Sequence, residues 1–188
     1  MGILLYWVNP ISAWLTLASF VGYAFIYTGY LKHATPQNIV IGGLSGAMPP
    51  LLGWSAVTGT IEPDALVLVL IIFAWTPPHF WALAIHRKDE YAKSGVPMLP
   101  VTHGEFVTKV HIIVYTVMLV IVSVFPYLSG MSGLLYLASA LVLGFGFLIW
   151  SGLLMFKPKP TTAMDTFKYS IVYLTVLFVA LVADHYLF

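Results

Sequence analysis

ALVLVLIIFAWTPPHFWALAIH, residues 65–86, carries no formal charge, and RKDEYAKSGVPMLP follows directly as residues 87–100. A hydrocarbon layer of about 30 Å takes roughly 20 helical residues to cross, so residues 65–86 have the length of a transmembrane helix. The tract lacks the period-two alternation of a barrel strand. Working outward, the same reading gives six complete spans: Ser12–Tyr30, Gln37–Val57, Ala65–His86, Phe106–Leu128, Gly133–Phe156 and Phe167–Leu187.

Composition agrees with the spans. With 60% apolar residues, 8% charged residues and a mean hydropathy of +0.94, a chain of 188 residues cannot furnish the polar surface of a soluble globule. The expected fold is all-α: a polytopic transmembrane helix bundle in a lipid bilayer, forming one domain over residues 1–188. No nucleic-acid partner is expected. The absence of cysteine excludes disulfides and thiolate metal sites. The first residues carry no basic region and run through Asn9-Pro10 into a span of full length, which argues against a signal peptide. Ile3–Val8 is apolar but too short to cross. It reads either as the end of another hydrophobic helix or as an interfacial anchor.

Charge sets the orientation and points to the site. All eight basic residues lie in or beside the loops on one side: Lys32, Arg87, Lys88, Lys93, Lys109, Lys157, Lys159 and Lys168. The opposite side offers Glu62, Asp64, a neutral turn at 127–132, and Asp184 with His185. The positive-inside rule makes the basic loops cytoplasmic and puts both chain ends outside. Six of the fifteen charged residues fall between Arg87 and Glu105, so chemistry is expected there.

Several motifs admit two readings. Thr35-Pro36 is expected to open the second span as a cap followed by proline at the first helical position, with Asn38 in the first turn. Gly42, Gly46, Pro49 and Gly53 leave a face almost without side chains, suited to a close helix or to a bulky ligand. Pro77-Pro78 should kink or unwind the third span. His79, a costly polar side chain in a span, either serves a site or makes a helix-to-helix hydrogen bond. His86 lies at the boundary and reads as solvated. Asp89 and Glu90 belong either to a solvated loop or to a site offering oxygen to a hard cation such as Mg²⁺. Thr102 and Glu105 fit a capping box, and Lys109 could face the same cavity as Lys32 and Arg87.

Further residues carry a resemblance. Tyr27 to Lys32, Thr35 to Gly43, Ala47 to Trp54, Ala56 to Gly59 and the block Trp75 to Pro100 resemble the heme O synthase (protoheme IX farnesyltransferase) branch of the UbiA-type intramembrane prenyltransferases. The resemblance covers essentially the whole chain. It implies a bundle of about nine helices with a cytoplasmic-side cavity, and two acidic motifs that bind Mg²⁺ and an isoprenoid diphosphate. Asp89 and Glu90 match the second motif, where Glu90 replaces the commoner aspartate. The first motif, an asparagine followed by two aspartates at four-residue intervals, has no match: neither Asn9 nor Asn38 is followed by an aspartate four residues on. The expectation is therefore a fold lacking roughly its first three helices, with impaired activity.

The implied reaction is transfer of a farnesyl group from farnesyl diphosphate to a vinyl group of heme B. By the same resemblance Asp89 and Glu90 are catalytic metal ligands, while Lys32, Asn38, His79, Arg87, Tyr91 and Lys109 bind substrate. The implied setting is the bacterial inner membrane, with heme-pathway or terminal-oxidase assembly partners. A prenyltransferase acting on a quinone precursor and a transporter are the alternatives.

Overall fold

The computed structural model of the chain describes residues 1–31 and 34–187, and every regular element among them is helical. A short helix α1 (Gly2–Trp7) precedes α2 (Pro10–Val21). Asn9 caps α2 by accepting from Ser12 N at 2.9 Å, and Pro10 sits in the first turn, where its missing N–H leaves no bond unmade. The helix continues through wider, π-type turns over Gly22–Leu31. Then follow α3 (Asn38–Gly46), α4 (Pro49–Thr58), α5 (Pro63–His86), α6 (Lys88–Lys93), α7 (Leu99–Thr102), α8 (Gly104–Val122), α9 (Phe125–Leu128), α10 (Leu134–Phe156) and α11 (Thr162–Leu187).

Six stretches among the described residues are long and apolar enough to cross a membrane: Pro10–Tyr30, Asn38–Thr58, Pro63–His86, Gly104–Leu128, Leu134–Phe156 and Thr162–Leu187. They coincide with the expected spans apart from shifts of a few residues at the ends. α5 is the central post. Just over half of its most apolar window is buried, against a third or less in each other span. It packs chiefly on α8 and α11, which in turn carry α10: Ile71, Leu119, Phe147, Tyr173 and Leu177 belong to one cluster.

Lipid tails are as apolar as leucine, so packing and hydrogen bonds between helices must hold such a bundle. Three buried ties do this. Ser123 Oγ meets Tyr173 OH at 2.7 Å, and Thr116 Oγ1 meets Ser151 Oγ at 3.2 Å. Asp184 of α11 accepts from Ser132 Oγ at 2.7 Å, Tyr136 N at 3.2 Å and Gly133 N, and so satisfies the exposed amides at the start of α10 from another helix.

Four local expectations need correction. The second span is two helices, because Pro49-Pro50 lack the N–H groups to continue the glycine-rich α3 and instead open α4. Thr35-Pro36 does not cap α3: Asn38 N bonds Thr35 O at 3.2 Å, making a tight turn with proline at its second position, and the helix begins after it. Of the kink or unwound turn expected at the double proline of α5, the unwound turn is absent: the helix is continuous from Pro63 to His86, with Thr76 Oγ1 donating to Ile72 O at 2.8 Å. Thr102 and Glu105 do not form a capping box. Thr102 ends the short α7, so its hydroxyl turns back to Met98 O at 3.2 Å, and Glu105 is drawn to two lysines instead.

Candidate functional site

The glycines of α3 let it approach α5 and the first span closely. A Cβ on Gly43 would stand 2.9 Å from Thr76 Cγ2, and one on Gly42 would strike the Tyr27 ring, whereas Gly46 faces open space. That open space belongs to a cavity of about 400 Å³ between the first span, α3, α5 and the chain after α5. Its walls include Tyr27, Gly46, Trp75, Thr76 and Phe80, and Tyr91 closes one side. The small-residue face therefore serves both readings: Gly42 and Gly43 pack closely on Tyr27 and Thr76, and all three glycines line the cavity.

Tyr91 links the cavity to the charge cluster. It shares the short α6 with Asp89 and Glu90, which are both exposed. Arg87 Nη1 lies 3.9 Å from Glu90 Oε2, a solvent-screened pair of little energetic weight. Glu105 holds Lys88 at 3.3 Å and Lys109 at 3.5 Å, so the Lys109 side chain is already engaged. Asn38 is fully buried at the start of α3. Lys32 lies outside the described residues. The structure thus places Tyr91 on the cavity and Arg87, Asp89 and Glu90 on the adjoining turn, with Lys109 bound into a neighbouring ion-pair network.

His79 is buried and turned toward α11. Its Nδ1 lies 2.7 Å from Ser170 Oγ, and its ring is stacked between Trp75 at 4.1 Å and Phe167 at 4.5 Å. A helix-to-helix hydrogen bond is therefore present. Sequence reading missed Ser170. The signal was a stripe of small or polar residues, Thr162, Thr166 and Ser170, at four-residue intervals on an apolar helix; all three are buried.

Among the described residues no three His, Cys, Asp or Glu side chains cluster as metal ligands. Asp89 and Glu90 still fit a Mg²⁺ ion in donor chemistry, since that ion takes one or two carboxylates and completes its shell with waters and substrate phosphate. A larger opening of about 480 Å³ lies at the other end of the bundle beside Trp54, Asp64 and His185. The smaller cavity is the candidate site, because Tyr91 on its wall shares α6 with Asp89 and Glu90.

Residues 1–182 match the UbiA prenyltransferase family. The chain belongs to that family. It is 63% identical over 187 residues to a protoheme IX farnesyltransferase of Hahella chejuensis and 66% identical over 187 residues to one of Ectopseudomonas mendocina. Each alignment covers the whole of this chain and 62% of the relative, so the chain spans just under two thirds of the length of these proteins. A solved structure of digeranylgeranylglyceryl phosphate synthase shares the fold, with a TM-score of 0.83 at 20% identity over 97% of this chain and 64% of that one. The all-α UbiA-type bundle and its integral membrane character are thereby established.

Proposed function

We propose that this chain contributes to farnesyl transfer from farnesyl diphosphate to a vinyl group of heme B. The allylic carbon–oxygen bond breaks with release of diphosphate, a carbon–carbon bond forms to the vinyl group, and water supplies the hydroxyl of the resulting hydroxyethylfarnesyl chain as a proton leaves. The observation that carries this reading is an aromatic-walled cavity closed by Tyr91, on the same helical turn as Asp89 and Glu90. Near two-thirds identity to proteins named protoheme IX farnesyltransferase supports heme B as acceptor.

The physical difficulty is a diphosphate of several negative charges at the edge of a low-dielectric bundle. Asp89 and Glu90 would hold Mg²⁺, which supplies positive charge to the leaving diphosphate. Arg87, Lys32 and Lys109 add charge toward its oxygens, Lys109 by exchanging Glu105 for phosphate. Asn38 and Tyr91 are polar neighbours that orient the substrate. Tyr27, Trp75 and Phe80 line the cavity, and aromatic rings there would stabilise an allylic cation. His79 belongs to the heme side. The basic loops face the cytoplasm of a bacterial inner membrane, and heme-pathway or terminal-oxidase assembly proteins are the expected partners.

The test is product analysis in micelles with Mg²⁺, farnesyl diphosphate and either heme B or an aromatic quinone precursor, using protein extended to the relatives' length. Heme O is the expected product. Glu90→Gln should slow its formation by about 10²-fold or more, the usual loss on removing transition-state charge stabilisation. An unchanged rate would reject the role of Glu90, and prenylation of the quinone precursor alone would reject the acceptor.

A further inference from the structure

The contact between α3 and α5 fixes how the cavity runs. The two helices lie on consecutive spans joined by a short turn and are therefore antiparallel, and Gly43 meets Thr76 where they cross. A step forward on one helix then pairs with a step back on the other, which sets Ile39 opposite Phe80 and Gly46 opposite Phe73, next to Ile72. Ile39, Gly46, Ile72 and Phe80 all line the cavity. Ile39 packs in one cluster with Met98 and Tyr91, so that end adjoins the turn carrying Asp89 and Glu90. The far end lies seven residues along α3 and eight back along α5, which at about 1.5 Å per residue is a depth of about 10–12 Å.

Ile72 closes the far end. It packs on the buried cluster of Ala47, Leu51, Ala65 and Val69. It also lines a second opening of about 220 Å³, whose other walls are Leu174, Thr175 and Phe178 of α11. No other described residue lines both spaces, so the Ile72 side chain is the partition between them. Gly46 adds nothing to that wall, and a Cβ there would meet no atom within 4 Å.

A space of this depth and only about 400 Å³ suits a chain. With carbon–carbon bonds of about 1.5 Å set in zigzag, the backbone of a geranyl group is about 9 Å long, that of a farnesyl group about 14 Å and that of a geranylgeranyl group about 19 Å. If the diphosphate sits at Asp89 and Glu90, the first carbons pass Tyr91 and a farnesyl tail ends against Ile72. One more isoprene unit would have to occupy the isoleucine itself. We propose that Ile72 is the gauge that limits the isoprenoid donor to fifteen carbons. This rests on the reading of the cavity as the site of an isoprenoid diphosphate. Ile72→Ala removes three carbons from the partition and joins the two spaces, whereas Gly46→Leu fills the far end.

The test gives protein extended to the relatives' length Mg²⁺, heme B and equal amounts of geranyl, farnesyl and geranylgeranyl diphosphate in micelles, and weighs the prenylated product by mass spectrometry. The parent should choose farnesyl. Ile72→Ala should raise the kcat/KM of geranylgeranyl relative to farnesyl diphosphate by about 10-fold or more, the low end of what a methylene-sized misfit costs in an apolar pocket. Gly46→Leu should raise that of geranyl relative to farnesyl by a similar factor. A merely destabilised variant loses rate with every donor and leaves these ratios unmoved. Should Ile72→Ala fail to fold, Gly46→Leu decides alone. Parent-like ratios in the variants overturn the gauge and leave farnesyl transfer intact. If a quinone precursor is prenylated and heme B is not, the acceptor is rejected and the gauge is read on the quinone product. No prenylated product from any donor sinks the transfer reading, and the gauge with it.

Discussion

The approach of α3 to α5 gives the sharpest test of the cavity wall. In Gly43→Ala the new methyl would stand 2.9 Å from Thr76 Cγ2 and 3.3 Å from Thr76 Cβ. Thr76 cannot swing aside cheaply, because it is β-branched, buried and tied by its hydroxyl to Ile72 O at 2.8 Å. Overpacking of this kind costs about 1–3 kcal/mol, and the better helix propensity of alanine returns up to about 1 kcal/mol. The expected net loss is about 1–2 kcal/mol. Unfolding in mixed detergent micelles should show it as an earlier midpoint. Thr76→Ser removes the clashing methyl and keeps the hydroxyl, so the double variant should be less damaged than the sum of the singles, by about 0.5 kcal/mol or more. Gly46→Ala meets nothing within 4 Å and should be neutral or slightly stabilising. A Gly43→Ala chain as stable as the parent, or full additivity with Thr76→Ser, would refute the packing argument.

Other outcomes follow from the same structure. Tyr173→Phe removes the 2.7 Å bond to Ser123 and should cost about 0.6–1.7 kcal/mol, read by thermal unfolding in detergent. Glu105→Gln releases Lys88 and Lys109; because Glu105 is 43% exposed, the stability change should stay below about 1 kcal/mol and fade in high salt, measured by denaturant titration at two ionic strengths. Asp184→Ala should speed hydrogen exchange of the Gly133 and Tyr136 amides while leaving the middle of α5 protected, as followed by mass spectrometry.

The spans were legible because each is a long apolar run, and in lipid such a run has only the helix open to it. Local breaks were harder. The same Pro-Pro pair opens α4 at Pro49 yet lies inside an unbroken α5 at Pro77. The difference is context: α3 is rich in glycine and ends, whereas α5 is packed on several sides and stays helical. The charged turn carrying Asp89 and Glu90 was readable from charge density alone, and Tyr91 from the resemblance. Ser170 and Asp184 were not, since each acts on a residue 91 or about 50 positions away. Their small or acidic side chains look incidental until the partner helix is beside them.

The central position of α5 has a consequence for biogenesis. The ribosome finishes this helix before it makes α8 or α11, yet these two supply most of its neighbours. The partner of His79 arrives 91 residues later, which at synthesis rates of about 5–20 residues per second means a wait of roughly 5–20 s. During that interval an imidazole and the carbonyls freed by two prolines face lipid or the insertion machinery. A membrane insertase that shelters α5 until α11 emerges would therefore raise the yield of folded protein more than one acting on the outer spans.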